Sequence, residues 1–130
     1  MERMRRRLRT LLLSSGLPDA ELSILFVGDR AMRTLNRTWR GKDRTTDVLS
    51  FSLREGRFPR IRPELLGDIV ISVPAAARQA REEGLPLVRE IDRLLVHGLV
   101  HLLGYDHERG PREARRMRSK ERELLRGIGA

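Results

Sequence analysis

Apolar residues recur along this chain first at helical and then at strand spacing, and each change of period marks an element. Over residues 1–15, Met4, Leu8, Leu11 and Leu12 share one helical face, while Arg3, Arg5, Arg6, Arg7 and Arg9 take the exposed side. Ser14-Ser15-Gly16-Leu17-Pro18-Asp19 is turn-forming. Glu21 to Val27 alternates loosely, with Leu22, Ile24 and Phe26 set against Ser23, and reads as a strand. Asp29 is placed to cap a second helix, Arg30 to Trp39, with Met32, Leu35 and Trp39 turned inward.

Residues 40–46 carry neither period and form a polar loop. Val48 to Leu53 gives a second strand, and Arg54 to Pro63 is a basic loop rich in glycine and proline. A third strand, Leu65 to Ser72, has Leu66, Ile69 and Ile71 apolar and Asp68 as an unexpected charge. Pro74 starts a helix that Ala75 to Glu83 continues as far as Gly84. Pro86 opens the next, whose stripe is Leu87, Ile91, Leu94, Leu95, Leu99 and Leu102; its last two turns are apolar almost all round, the pattern of a helix buried mid-domain. Pro111 to Leu125 is an arginine- and glutamate-rich helix with Met117, Leu124 and Leu125 as apolar contacts and its charges on a solvated face. The expectation is one α+β domain over residues 1–130: a small mixed sheet of about three strands packed with helices, without repeats or linkers.

The buried helix changes the picture, because it leads into His97-Gly-Leu-Val-His101-Leu-Leu-Gly104-Tyr-Asp106-His107, which holds all 3 histidines of the protein. His97 and His101, at i and i+4, project from one helical face. Gly104 can take the left-handed conformation that ends a helix, letting the chain turn back and bring His107 towards the other two. A lone histidine on an apolar face is usually a core residue satisfied locally. Three at the HxxxHxxGxxH spacing of metzincin-type sites point instead to a divalent metal.

The chain has no cysteine, so disulfides and thiolate ligands are excluded, in keeping with a reducing compartment. A fourth ligand from Asp106 or Glu108 is disfavoured, since neighbours on a short turn converge poorly with His107. Three protein ligands leave a position open for water, whose pKa the metal lowers to about 7. Three imidazoles suit zinc, nickel, copper or iron. A zinc protease needs the glutamate of HExxH as general base, and here that position is Gly98, which moves the substrate away from peptides. Asp106 or Glu108 could stand in only if geometry allows it.

Charge moves the substrate further, towards polyanions. Of 130 residues, 27 are Lys or Arg and 18 Asp or Glu, giving a formal net charge of +9 and a pI near 11.4. Such a surplus favours phosphodiesters, where arginine pairs with phosphate and counterions are released. No apolar run reaches the length of a membrane span, and Leu11-Leu12-Leu13 is too short for the core of a signal peptide, so the expected location is the cytoplasm.

At this point the chain resembles the YbeY family of bacterial endoribonucleases, the rRNA maturation factors. The histidine stretch is similar to the family's HGxLHLxGyDH signature. Two further blocks match in order: Leu35-Asn36-Arg37-Thr38-Trp39-Arg40-Gly41-Lys42-Asp43, running on into Thr46-Asp47-Val48-Leu49-Ser50-Phe51, and Leu66-Gly67-Asp68-Ile69-Val70-Ile71-Ser72. The similarity spans roughly residues 20–125.

The resemblance implies an α+β domain binding one metal ion, zinc, and cutting single-stranded RNA in 16S rRNA 3′-end maturation and ribosome quality control. Its partners are then rRNA and the ribosome, with no membrane. By position, His97, His101 and His107 are the metal ligands, metal-bound water attacks the phosphodiester, and Arg40 is the functional arginine that steadies the phosphate. Asp106 is a candidate for proton transfer or for orienting a ligand histidine. The family usually carries a strand before its first helix, whereas this sequence begins at the helix, so either the sheet is a strand short or the sequence starts from an internal methionine. Thr45 and Ser52 stand where proline is common. Two other readings stay open: a metzincin-like zinc protease, and a non-catalytic ribosome-assembly factor with a structural metal.

Overall fold

The structure, a computed structural model, describes residues 2–53 and 65–129. The expected basic loop from Arg54 to Pro63 lies outside them. In chain order the elements are α1 (Glu2–Ser14), β1 (Glu21–Val27), α2 (Asp29–Arg40), β2 (Val48–Ser52), β3 (Leu65–Ser72), α3 (Val73–Glu83), α4 (Leu87–Leu102), a short 3-10 turn (His107–Arg109) and α5 (Pro111–Gly127). The three strands form one mixed sheet of order β1-β3-β2, with β1 parallel and β2 antiparallel to β3. This is the α+β architecture that the alternating pattern predicts.

The centre of the sheet is β3, the most continuously apolar strand, and it is buried almost throughout. Its register sets two faces. Ile69 and Ile71 share one with Ile24, Phe26, Val48 and Ser50. That face packs into the larger core with Leu11, Leu95, Leu99 and Met117 from α1, α4 and α5. Val70 shares the other with Leu49, and there Met32 of α2 packs against both. Asp68 lies on this second face, between Ser23 and Phe51, where the sheet is only half covered, so a charge in the strand is tolerated.

α4 runs through the middle of the domain, as its pattern predicts, and two carboxylates are buried along it. Glu90 and Asp92 are each 1% exposed. Burial pushes both carboxyls up from their ordinary values, against the pull of neighbouring arginines. Arg93 donates to Glu90 at 3.0 Å, and Arg7 of α1 donates to Asp92, tying the first helix to the central one. Arg7 therefore belongs to an internal contact rather than to the open arginine face of α1.

Two details of α2 differ from the sequence expectation. Asp29 does not cap the helix: Gly28 holds the cap position, and the Asp29 carboxylate instead takes two hydrogen bonds from Arg78 of α3, at 2.9 and 3.1 Å, and one from Ser72 Oγ at 3.2 Å. Trp39 is not inward but 67% exposed. The buried position one turn after Met32 is Asn36, whose side-chain amide donates to the Arg44 carbonyl at 2.9 Å and fastens the loop that follows the helix. With the loop anchored there, the last turn of α2 lies beside β2, where Arg40 donates to the Ser50 carbonyl and Trp39 meets Phe51 only edge to face.

Candidate metal centre and cleft

Each histidine is placed by a local feature of the chain. His97 and His101 stand one turn apart near the end of α4, on a backbone held hard against the sheet. A Cβ on Gly98 would lie 2.8 Å from Ile69 Cγ2 and 3.0 Å from Ser50 Oγ. The Ser50 hydroxyl donates to the Gly98 carbonyl at 3.0 Å. The glycine is thus a packing requirement of helix on sheet, and the glutamate of a zinc protease has no room at this position.

The helix ends as Gly104 predicts. With φ +102° at Gly104, the Tyr105 amide returns to the Val100 carbonyl at 3.2 Å and the Gly104 amide to that of His101 at 3.0 Å. This double closure reverses the chain. Asp106 then accepts from the Glu108 amide at 2.9 Å and lies 3.6 Å from the Arg109 guanidinium, so its carboxylate caps the 3-10 turn that carries His107.

The three rings converge. Centroid separations are 4.7 Å for His97–His101, 5.5 Å for His101–His107 and 6.2 Å for His97–His107. Three imidazoles around one tetrahedral ion, with metal–nitrogen distances of about 2 Å, stand with centroids about 5 Å apart. The donor chemistry fits a divalent ion such as zinc, and the His97–His101 and His101–His107 separations are close to that value while His97–His107 is wider. As the rings stand they are open: among the described residues no three His, Cys, Asp or Glu side chains form a group able to hold an ion. The excess separation is on the His107 side, where an exposed side chain on a short turn changes rotamer readily. Burial holds His101 below its usual value, reinforced by His97 and His107, so its ring is kept in the neutral form that metals bind.

Glu121 is a functional candidate that the sequence reading passed over. Its Oε1 lies 3.5 Å from Nδ1 of His97, the ring nitrogen that orients a ligand histidine when the other nitrogen faces a metal. The signal was in α5: Glu121 falls four residues after Met117 and three before Leu124, on the helix's buried stripe, so it does not belong to the solvated charged face.

The histidines line a cleft of about 710 Å³ together with Trp39, Arg40, Lys42 and Arg44. Arg40, the last residue of α2, donates to the Ser50 carbonyl and lies over the Phe51 ring at 5.2 Å. The histidine wall, which begins 57 positions after Arg40 in the chain, thus meets the block containing Arg40 in one concave site.

A family model, Endoribonuclease YbeY, matches residues 2–129, a range that includes every residue of the cleft. The chain belongs to the YbeY family. Among its relatives, an Endoribonuclease YbeY of Anaeromyxobacter sp. is 58% identical over 127 residues, covering 98% of this chain and 64% of the relative. One of Geobacter sulfurreducens is 48% identical over 124 residues, covering 95% of this chain and 83% of the relative. The chain thus spans less than two thirds of the length of the Anaeromyxobacter relative. In structure it is similar to a Thermotoga maritima protein solved in solution, with a TM-score of 0.68 and 26% identity, covering 98% of this chain and 79% of that one. Among the described residues, no helix is long and apolar enough to cross a membrane.

Proposed function

We propose that this YbeY-family chain is a metal-dependent endoribonuclease that hydrolyses single-stranded RNA. The observation that carries the reading is the convergence of three histidine rings in a cleft that Arg40, Lys42 and Arg44 also line. The names of its relatives support RNA as the substrate. The family resemblance supports rRNA, and specifically 16S rRNA 3′-end maturation with ribosome quality control, as the cytoplasmic process served.

His97, His101 and His107 would hold one ion, and the family resemblance favours zinc among the divalent metals that three imidazoles suit. When bound, such an ion supplies Lewis acidity, activating water near neutral pH and drawing charge from a phosphoryl oxygen. Arg40 binds the scissile phosphate through its guanidinium, which can pair with two phosphate oxygens at once. Phe51 and the Ser50 carbonyl fix the arginine's plane beforehand, which lowers the entropy lost on binding. Asp106 acts by position, since its carboxylate is engaged with the turn that presents His107.

The test is cleavage of a single-stranded rRNA fragment by purified protein, with and without a chelator, alongside His101→Ala and Arg40→Ala. Loss of cutting in all three is expected. Cleavage that survives in both variants would locate the activity elsewhere. RNA binding without cleavage, indifferent to chelation, would instead mark an assembly factor.

A further inference from the structure

We infer that Trp39 is a stacking platform for an unpaired nucleobase, and that it gives the cleft its selectivity for single strands. The inference rests on the RNA-cleaving reading above and specifies how that site grips its substrate.

An indole that is 67% exposed is a costly thing for a small domain to leave in water, and this one is exposed inside the cleft rather than on an arbitrary surface. It is held from one side. Trp39 meets Phe51 edge to face, with ring centroids 6.4 Å apart and planes at 71°. That contact fixes the indole's orientation, and among the described residues no ring lies parallel on it. Arg40 packs on the same Phe51 ring, so the indole and the phosphate-binding guanidinium share one support. A nucleotide offers a flat aromatic base and a charged phosphate a short distance apart, which is the pair of features set side by side here.

The surrounding charge favours a nucleic acid over an apolar protein segment. Lys42 and Arg44 line the same cleft and make no side-chain ion pair among the described residues. Of the cleft's three carboxylates, Asp47 is occupied by the Val48 amide and Gln79 and Asp106 by its own turn, while the exposed Glu108 is outnumbered by Arg40, Lys42, Arg44 and Arg109. An apolar peptide covering Trp39 would also have to cover these cations. An RNA strand neutralises them. Stacking needs a free base face, and neighbouring pairs cover both faces of a base inside a duplex, so single strands are selected without any reading of sequence.

Trp39 is the chain's one tryptophan, so its intrinsic emission reports on this position alone. A single-stranded oligoribonucleotide should quench that emission, whereas the same ribose-phosphate chain without bases should bind weakly and quench little, and a long duplex, with free base faces only at its ends, should quench far less per nucleotide. Trp39→Ala should raise the KM for single-stranded RNA about tenfold, with kcat little changed, and Trp39→Phe should restore most of the loss. Because the side chain is exposed, the unfolding midpoint of both variants should match the parent. If the parent cuts RNA and Trp39→Ala has an unchanged KM, or if the abasic chain quenches as strongly as RNA, the platform is refuted while the endoribonuclease reading stands. If the parent neither binds nor cuts RNA under any metal loading, both fall.

Discussion

Glu121 Oε1 stands 3.5 Å from His97 Nδ1, linking the last helix to the first histidine of the candidate metal centre. The distance is within ion-pair reach but long for a formed hydrogen bond. A carboxylate at the far nitrogen fixes the ring's tautomer and strengthens the near nitrogen as a donor. Glu121→Gln, which keeps the shape and removes the charge, should lower zinc affinity by about tenfold to a hundredfold. Competition with a chromophoric chelator measures this, and the thermal midpoint of the metal-free protein should hardly move. Unaltered zinc affinity would show that the carboxylate does not serve the histidine.

Gly98 makes a prediction that runs against helix propensity. Alanine is favoured over glycine in a helix interior by about 1 kcal/mol. Here its Cβ would press on Ile69 Cγ2 at 2.8 Å, and Ile69 is fully buried with that methyl fixed on its branched Cβ. Overpacking of this kind costs about 1–3 kcal/mol. Gly98→Ala should therefore lower stability in urea by about 1 kcal/mol and, by lifting α4 from the sheet, weaken zinc binding. A variant more stable than the parent would overturn the packing account.

How much of this was legible in the sequence depended on whether a neighbour in the chain or a neighbour in space decided the outcome. The histidine stretch was legible because its geometry is local: helical spacing, a left-handed glycine, a capped turn. β3 was legible from its apolar run. Met32, Leu35 and Trp39 share helical spacing, yet the buried position after Met32 is taken by Asn36 and Trp39 meets the sheet only edge-on at Phe51, which no periodicity within α2 reveals. Asp29 looked like a cap, but its partner Arg78 lies 49 residues away. Glu121 was hidden by charge: on a helix crowded with arginine and glutamate, one carboxylate on the apolar stripe is easily counted with its solvated neighbours.

The Asp29–Arg78 pair gives the domain an acid sensitivity of known sign. The Arg78 hydrogen bonds, opposed by partial desolvation, hold the Asp29 carboxyl below its ordinary value of 3.8. A carboxyl depressed in the folded state contributes stability above the unfolded value and loses it as pH falls through the folded one. Asp29→Asn should thus be less stable than the parent at neutral pH, and the gap should close as pH drops below about 4. Urea midpoints measured across that range test it. A gap that persists undiminished in strong acid would mean that the asparagine acts through packing and not through lost charge.

The Arg7–Asp92 pair has the opposite sign. Asp92 is 1% exposed, its Oδ1 has no hydrogen-bond partner, and burial raises its carboxyl despite Arg7 and, more distantly, Arg3 and Arg89. A group whose folded value is raised contributes its stability at low pH, below the unfolded value, and loses it as pH rises through the folded one. Arg7 limits that loss by supplying the counter-charge. Arg7→Met should cost about 3 kcal/mol at pH 7, the usual consequence of stranding a buried carboxylate, and clearly less at pH 4, since the raised Asp92 carboxyl takes up its proton as pH falls. Adding Asp92→Leu should return the stability, since an apolar pair of similar volume in place of a buried ion pair is often neutral or better. The full cycle, followed by urea unfolding at both pH values, separates the charge from the packing. An equal loss for Arg7→Met at both values, or a double variant worse than the single one, would mean that α1 is held to α4 by its leucines and not by this pair.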